Sequence, residues 1–392
     1  MTPPGDEPAG DPKKRYWVLP APEPGNDPGP ESTSFVPSPS GPDQGVVQPD
    51  APTPTMPRTL AIVGSGLDLN VAASAEIRRA SLYIGLLWLL SVGPIAVALA
   101  AFTAHQGGFE WLQRIASGSR SMFVLNPGFG LVFLLLLLLG FACLLSVALD
   151  AQLLAVILIG ARATGRRFDL RTALALARLR YWRLVRASLL IGLILLIPRF
   201  FINQIVMNRL PAGTEAQALV ATAIDILVSA PFAYVAAGIV LGAVGSREAI
   251  RRSWRLARAR WRLALLIGIV NTAVTYIATF ALGAGGDILV RLGTAFGLGA
   301  TMGPVQVAVL AAIVAVAIVS IGSLVMTIGA LTAGPQVVAF LGLTGYSRGL
   351  DALEDSERPL TTPRDRWLIS MPMLVALVVN AEAALLAVLM LH

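Results

Sequence analysis

Cysteine, histidine and lysine are nearly missing from this chain. Its 392 residues hold one cysteine, Cys143, two histidines, His105 and His392, and two lysines, Lys13 and Lys14. A lone cysteine makes no intrachain disulfide and no cysteine-based metal site. Two distant histidines form no cluster for metal or acid–base chemistry, and each reads as a loop or terminal residue. No phosphate loop, nucleophile elbow or zinc-protease helix occurs. "GSGLD" (Gly64–Asp68) lacks the Gly-Lys-Ser/Thr ending that such a loop needs. The sequence therefore predicts no enzymatic site and no cofactor. Charge is also scarce, at 14% of residues, where a soluble domain carries about 25%.

What fills the chain instead is apolar: 55% of residues are hydrophobic. They lie in runs of about 20 residues or more, enough to cross a ~30 Å hydrocarbon layer at ~1.5 Å per residue. The predicted fold is an all-α polytopic transmembrane helical bundle. Spans are expected at about 81–104, 128–160, 186–206, 217–243, 263–284, 304–343 and 368–391. Seven is the expected number, within a range of six to eight. The eighth would come from a break at Gly334-Pro335 in the over-long sixth stretch. Leu60–Ala80 reads as a connector ending in a short helix.

Residues 1–57 hold 16 of the 26 prolines. Such a segment buries too little apolar surface to offset its ordering entropy. The chain thus divides into a disordered Pro-rich tail, 1–58, and a transmembrane helical domain, 59–392, with degenerate internal repeats. No apolar core of signal-peptide type follows Met1. "PKKRYWVLP" (Pro12–Pro20) reads as a solvated patch or as a docking motif for partner proteins.

The net charge is +7, and arginine outnumbers lysine 28 to 2, which reads as base-composition bias. The positive charge sits beside the spans, which points to topology and lipid headgroups before nucleic acid. Alternate loops carry 25 and 5 Lys and Arg. The positive-inside rule then puts the N terminus in the cytoplasm and the C terminus outside.

Two basic segments look like copies of one unit, "DLRTALALARLRYWRLVRASLLIGLI" (Asp169–Ile194) and "GSREAIRRSWRLARARWRLALLIGIV" (Gly245–Val270). Weaker copies lie at Tyr346–Ser370 and Ser74–Leu87. At about 100° per residue, Ile250, Trp254, Ala257 and Trp261 share one sector and Arg247, Arg251, Arg252, Arg255 and Arg258 its neighbour. In the first copy Leu174, Ala177, Tyr181 and Leu184 share a face, and Arg171, Arg178, Arg183 and Arg186 another. This pattern predicts basic amphipathic interfacial helices. Their apolar face sinks to the acyl boundary and their arginines meet anionic headgroups, at about 1 kcal/mol per cation. The competing reading is a plain continuation of the span with snorkelling arginines. Nucleic acid is not an expected partner.

A span leading into "REAIRRSW", then "RWRLALL" and a new span, resembles a bacterial multi-span membrane domain found attached to some glycerophosphodiester phosphodiesterases. The resemblance covers roughly residues 60–391 and is firm only at the arginine segments. It implies a multi-pass protein of the bacterial cytoplasmic membrane. The phosphodiesterase barrel, with its catalytic histidines and metal carboxylates, has no counterpart in these 392 residues.

Asp150, Asp225 and Glu382 fall within predicted spans, where charge is costly and marks a functional-site candidate. Asp150 and Asp225 lie 75 residues apart, near the repeat separation of 76, yet at unequal expected depths. The structural reading makes each a buried hydrogen-bonding group or an arginine partner. Asn203 and Asn271 read as interhelical hydrogen bonds. The expected function is that of an integral membrane protein organising lipid or partner proteins. The alternative is a small-solute or ion transporter using Asp150, Asp225 or Glu382.

Overall fold

A computed structural model describes residues 59–105, 127–209, 215–295, 304–345, 348–353 and 368–391. The tail 1–58, the tail motif at Pro12–Pro20 and most of the weak copy Tyr346–Ser370 lie outside them. The described residues form helices and short turns, without a strand. In chain order the helices are α1 (Thr59–Ala72), α2 (Ser74–His105), α3 (Pro127–Ala163), α4 (Leu170–Arg209), α5 (Glu215–Ser229), α6 (Val235–Val240), α7 (Ser246–Ala259), α8 (Trp261–Ala295), α9 (Pro304–Thr344) and α10 (Met371–Leu391). Single 3-10 turns occupy Ala230–Phe232 and Arg348–Leu353.

Among the described residues, five stretches are long and apolar enough to cross a membrane: Leu138–Ala163, Leu170–Ile202, Glu215–Val240, Trp261–Phe280 and Ala312–Thr344. A sixth is available if α1 and α2 count as one bent span. Seven were expected. The seventh expected stretch is helical as α10, a 21-residue helix from Met371 to Leu391.

The region read as a connector is two helices. α1 and α2 meet at the fully buried Ala73 and bend by 74°. α1 lies against α9 where both backbones are bare. A Cβ on Gly66 would sit 2.6 Å from the Pro335 nitrogen, and one on Gly334 2.6 Å from Asn70 Nδ2. Small residues let helices approach this closely in an apolar solvent. Gly334-Pro335, at this contact, does not break α9, which runs unbroken from Pro304 to Thr344. Proline removes one helical hydrogen bond, yet the helix continues through it, so the expected break at Gly334-Pro335 is absent. Farther along α9 the same device recurs. A Cβ on Gly322 would meet the Trp88 Cβ at 2.6 Å, and Ser323 Oγ donates to the Ser81 carbonyl at 3.0 Å.

α3 is the centre of the bundle. Leu153, Leu154, Ala155, Val156, Ile157, Leu158 and Ile159 are all buried, so this part of the helix has no solvent or lipid face. A helix apolar all round fits that position. Its C-terminal end is tied down by charge. Arg162 pairs with Glu76 at 2.9 Å and Arg166 with Asp351 at 2.6 Å. These pairs join the starts of α2 and α4 and the turn at 348–353 into one basic end.

The two arginine segments part company here. The second forms its own helix, α7, ending at Arg260, whose φ of −134° and ψ of 56° are not helical. The first does not: α4 continues without a break from Leu170 through the arginines to Arg209. The expectation of a separate interfacial helix before the third span is therefore corrected to one continuous 40-residue helix. The physical reason is packing. Ala173, Leu174, Ala175, Leu176 and Ala177 are all buried, and Tyr181 and Leu184 continue that face, so α4 already belongs to the bundle at its first turns.

The fourth expected span is interrupted. α5 stops at Ser229, a 3-10 turn carries Pro231, and the short buried α6 resumes at Val235. Backbone groups freed inside a span need partners. Ser253 of α7 supplies them: its hydroxyl donates to the Pro231 carbonyl at 2.7 Å and accepts from the Tyr234 N–H at 3.1 Å.

Candidate functional site

Asn271, Thr275 and Thr279 stand at i, i+4 spacing in the otherwise apolar α8, so they share one face. Thr275 Oγ1 donates to the Asn271 carbonyl at 2.8 Å and Thr279 Oγ1 to the Thr275 carbonyl at 2.9 Å. These back-bonds satisfy each hydroxyl proton and leave oxygen lone pairs outward. The stripe faces a cleft of about 1150 Å3 between α4, α5 and α8. Leu184, Ile191, Leu196 and Phe200 of α4 make an apolar wall opposite it. Gln152 of α3 and Gln336 of α9 reach the cleft from behind. Ala230, Val235, Ala236 and Gln336 close one end and are buried, whereas Phe200 and Thr279 at the other end are exposed.

Asp225 of α5 faces this cleft and is paired with Arg199 of α4. Both side chains are half exposed, at 49% for Arg199 and 55% for Asp225. A hydroxyl contact, Thr222 Oγ1 to Tyr276 Oη at 2.7 Å, ties α5 to α8 beside them. α5 and α8 close further where Gly268 meets Ile226. Asn271 Oδ1 is buried, and no donor among the described residues reaches it. Asn271 was expected to bond a neighbouring helix; its buried side-chain oxygen has no such bond among the described residues. The Asn203 side chain lies outside the description.

The site thus offers one cation, one anion, three amides and several hydroxyls within an apolar bundle. A guanidinium takes a carboxylate or phosphate in a fork, and a carboxylate takes an ammonium.

The other intramembrane carboxylates are elsewhere. Asp150 is 1% exposed, and its charged neighbour is Arg178. Tyr83 and Tyr181 surround it, the latter sharing a 2.6 Å hydroxyl contact with Ser146 and the former donating to the Leu368 carbonyl at 2.9 Å. Asp150 and Asp225 therefore stand in two separate places. Glu382 stands exposed on α10, while nearby Asn380 donates to the Leu90 carbonyl at 2.9 Å and holds α10 to α2.

The arginines divide as well. Arg171, Arg186, Arg247, Arg251, Arg255 and Arg258 are exposed, and Glu248 pairs with Arg255 at 2.8 Å and Arg251 at 3.7 Å. Trp254 and Trp261 are 51% and 41% exposed, with Trp254 6.1 Å from the Phe232 ring. Arg178, Arg183 and Arg252 are half-buried and make contacts within the bundle. Arg183 donates to the Ala243 carbonyl at 3.1 Å. Ala243 has a φ of 53°, a conformation that costs an L-residue about 1–2 kcal/mol, so this hydrogen bond steadies a strained turn. Arg252 lies 5.6 Å over the Phe340 ring, against the bare backbone of Gly242.

Sequence reasoning missed Arg199, Gln152, Gln336 and Ser253 as site or support residues. The 271/275/279 stripe was a readable signal. The partnership of Arg199 with Asp225 was not, because it depends on how α4 and α5 pack. Set against family models, curated proteins and solved structures, the chain matches none of them.

Proposed function

We propose that this is a non-enzymatic multi-pass membrane protein that binds a polar or amphipathic solute in the cleft of α4, α5 and α8, as a transporter or carrier does. One observation carries this reading: the Arg199–Asp225 pair faces a cleft of about 1150 Å3 lined by amides and hydroxyls inside the apolar bundle. Ligand sites in membrane bundles are built this way, with polar groups facing a cavity. A discontinuous span also borders the cleft at Ala230–Phe232, a device that transporters use around their binding sites.

The test is ligand-dependent stability. A ligand that binds only the folded state raises stability by about 2.7 kcal/mol at 100 times its Kd. Purified protein is heated with a panel of soluble zwitterions, carboxylates, phosphate esters and amines. A compound should raise the Tm of the wild type and leave Asp225→Asn and Asn271→Leu unmoved. No shift with any compound, or an equal shift in the variants, rejects the reading.

A second reading, membrane organisation through α7, is favoured by the exposure of Arg247, Arg251, Arg255 and Arg258 beside Trp254 and Trp261. In it α7 is an interfacial helix whose arginines meet anionic lipid, and the tail offers a docking site to partner proteins. For topology we propose seven crossings: the five long apolar stretches, the bent α1–α2 pair as one, and α10 as another. That number is compatible with a cytoplasmic N terminus and an external C terminus in a bacterial cytoplasmic membrane. Kinship with the phosphodiesterase-associated membrane domain is proposed on the two arginine segments alone.

A further inference from the structure

Three features of the cleft bear on what it takes. It is long: Leu184 and Phe200, both in its wall, are 16 residues apart on one helix, roughly 24 Å at ~1.5 Å per residue. It opens sideways. α5 packs on both α4 and α8 and holds them apart, and Leu196 and Phe200 on one lip and Tyr276 and Thr279 on the other are exposed. It is also two-faced, with an apolar α4 wall and a polar α8 stripe. A solute that dissolves wholly in water needs an enclosed polar chamber. An amphiphile needs a polar lane for its head and a side opening through which its tails stay in the bilayer. The charges at the lane are a matched set, because Arg199 and Asp225 can each exchange the other for an opposite charge on the ligand.

Resting on the cleft as a binding site, we infer that its ligand is a zwitterionic lipid, whose phosphate is held by Arg199 and whose ammonium is held by Asp225, with the acyl chains lying outward past Phe200. Thr275 and Thr279 then face the polar head. An anionic lipid of the same chains fills only the Arg199 half and leaves Asp225 facing a like charge.

Native mass spectrometry of the full-length protein, delipidated in detergent, tests this with three probes: phosphatidylethanolamine, phosphatidylglycerol with identical chains, and water-soluble phosphoethanolamine. Phosphatidylethanolamine should be retained at one site about tenfold more tightly than phosphatidylglycerol; Asp225→Asn should abolish that preference, whereas Arg199→Gln should weaken retention of both lipids. If either variant fails to fold, a photo-reactive amino acid at position 200 decides instead. It should cross-link phosphatidylethanolamine in an otherwise unchanged chain. Equal retention of the two lipids, a preference that survives Asp225→Asn, or unchanged retention of both lipids in Arg199→Gln overturns the inference. So does the absence of a lipid cross-link from position 200. Binding of phosphoethanolamine without retention of its lipid overturns the inference and leaves the cleft as a site for soluble solutes. Binding of none of the probes, together with a flat Tm panel, removes both readings.

Discussion

Leu170–Arg186 and Ser246–Arg262 are written in nearly the same alphabet of arginine, leucine, alanine and tryptophan. The first opens a 40-residue helix, and the second is a 14-residue helix cut off at Arg260. What separates them is the neutral face. In the first, Ala173 to Ala177 are buried without interruption and seat the helix in the bundle. In the second, only Ala249, Ser253 and Ala257 are buried, one residue per turn. That narrow face docks on the Pro231 break, where Ser253 satisfies backbone groups that the interrupted span leaves open. Arginine content says that a segment lies near a charged boundary. The width of the small-residue face says whether it continues a span or props up another one.

The sharpest way to break this contrast is to interrupt both segments. Leu179 is exposed, so Leu179→Pro tests helix continuity rather than packing. It should cost about 3 kcal/mol or more, measured by equilibrium unfolding in mixed micelles. Arg260→Gly, at the end already present in the second segment, should stay within about 0.5 kcal/mol. Equal costs would mean that the two segments do not differ in continuity.

Next in size is the prop itself. Ser253→Ala leaves the Tyr234 N–H and the Pro231 carbonyl without their partner and should cost about 1–3 kcal/mol in the same assay. Its counterpart in the first segment, Tyr181→Phe, removes one hydroxyl contact to Ser146 and should cost about 1 kcal/mol. A Ser253→Ala protein as stable as the wild type would detach α7 from the break.

Smaller still is the effect of inward against outward arginines. Arg183→Gln loses a charge-assisted bond to the strained Ala243 turn and should cost about 1.5 kcal/mol in stability. Arg258→Gln should leave stability within about 0.5 kcal/mol. On the interfacial reading it weakens association with anionic vesicles by about 1 kcal/mol, read by flotation at low and high salt. If Arg183→Gln weakens vesicle association more than Arg258→Gln does, the assignment of the two arginines is reversed.

Legibility followed the range of the interaction. The all-helical class and the apolar stretches could be read directly, because hydrocarbon-length runs and the need to satisfy backbone groups in an apolar solvent leave little choice. The faces of α7 could be read in part. The phase placed Ile250, Trp254, Ala257 and Trp261 together, whereas the buried line is Ala249, Ser253 and Ala257. The sequence placed the large aromatics at the acyl boundary of the bilayer; the line packed against neighbouring elements is made of small residues, as close contacts between helices require. Asp225 could be marked as a charge within an apolar stretch, and its partner could not, since Arg199 precedes it by 26 residues and meets it only through the packing of α4 on α5. Glu382 had the same signal and stands exposed on α10.

Sequence alone determined that this chain is helical, apolar enough to cross a membrane several times, and basic at alternate loops, because each property is a sum over neighbouring residues. Tertiary structure alone decided which arginines turn inward, that Pro231 breaks its span while Pro335 does not, and that Arg199, Asp225, Asn271 and Gln336 border one cleft. Each of those outcomes depends on what a second helix places opposite. Ser253 stands behind Pro231, and the bare backbone of Gly66 lies against Pro335.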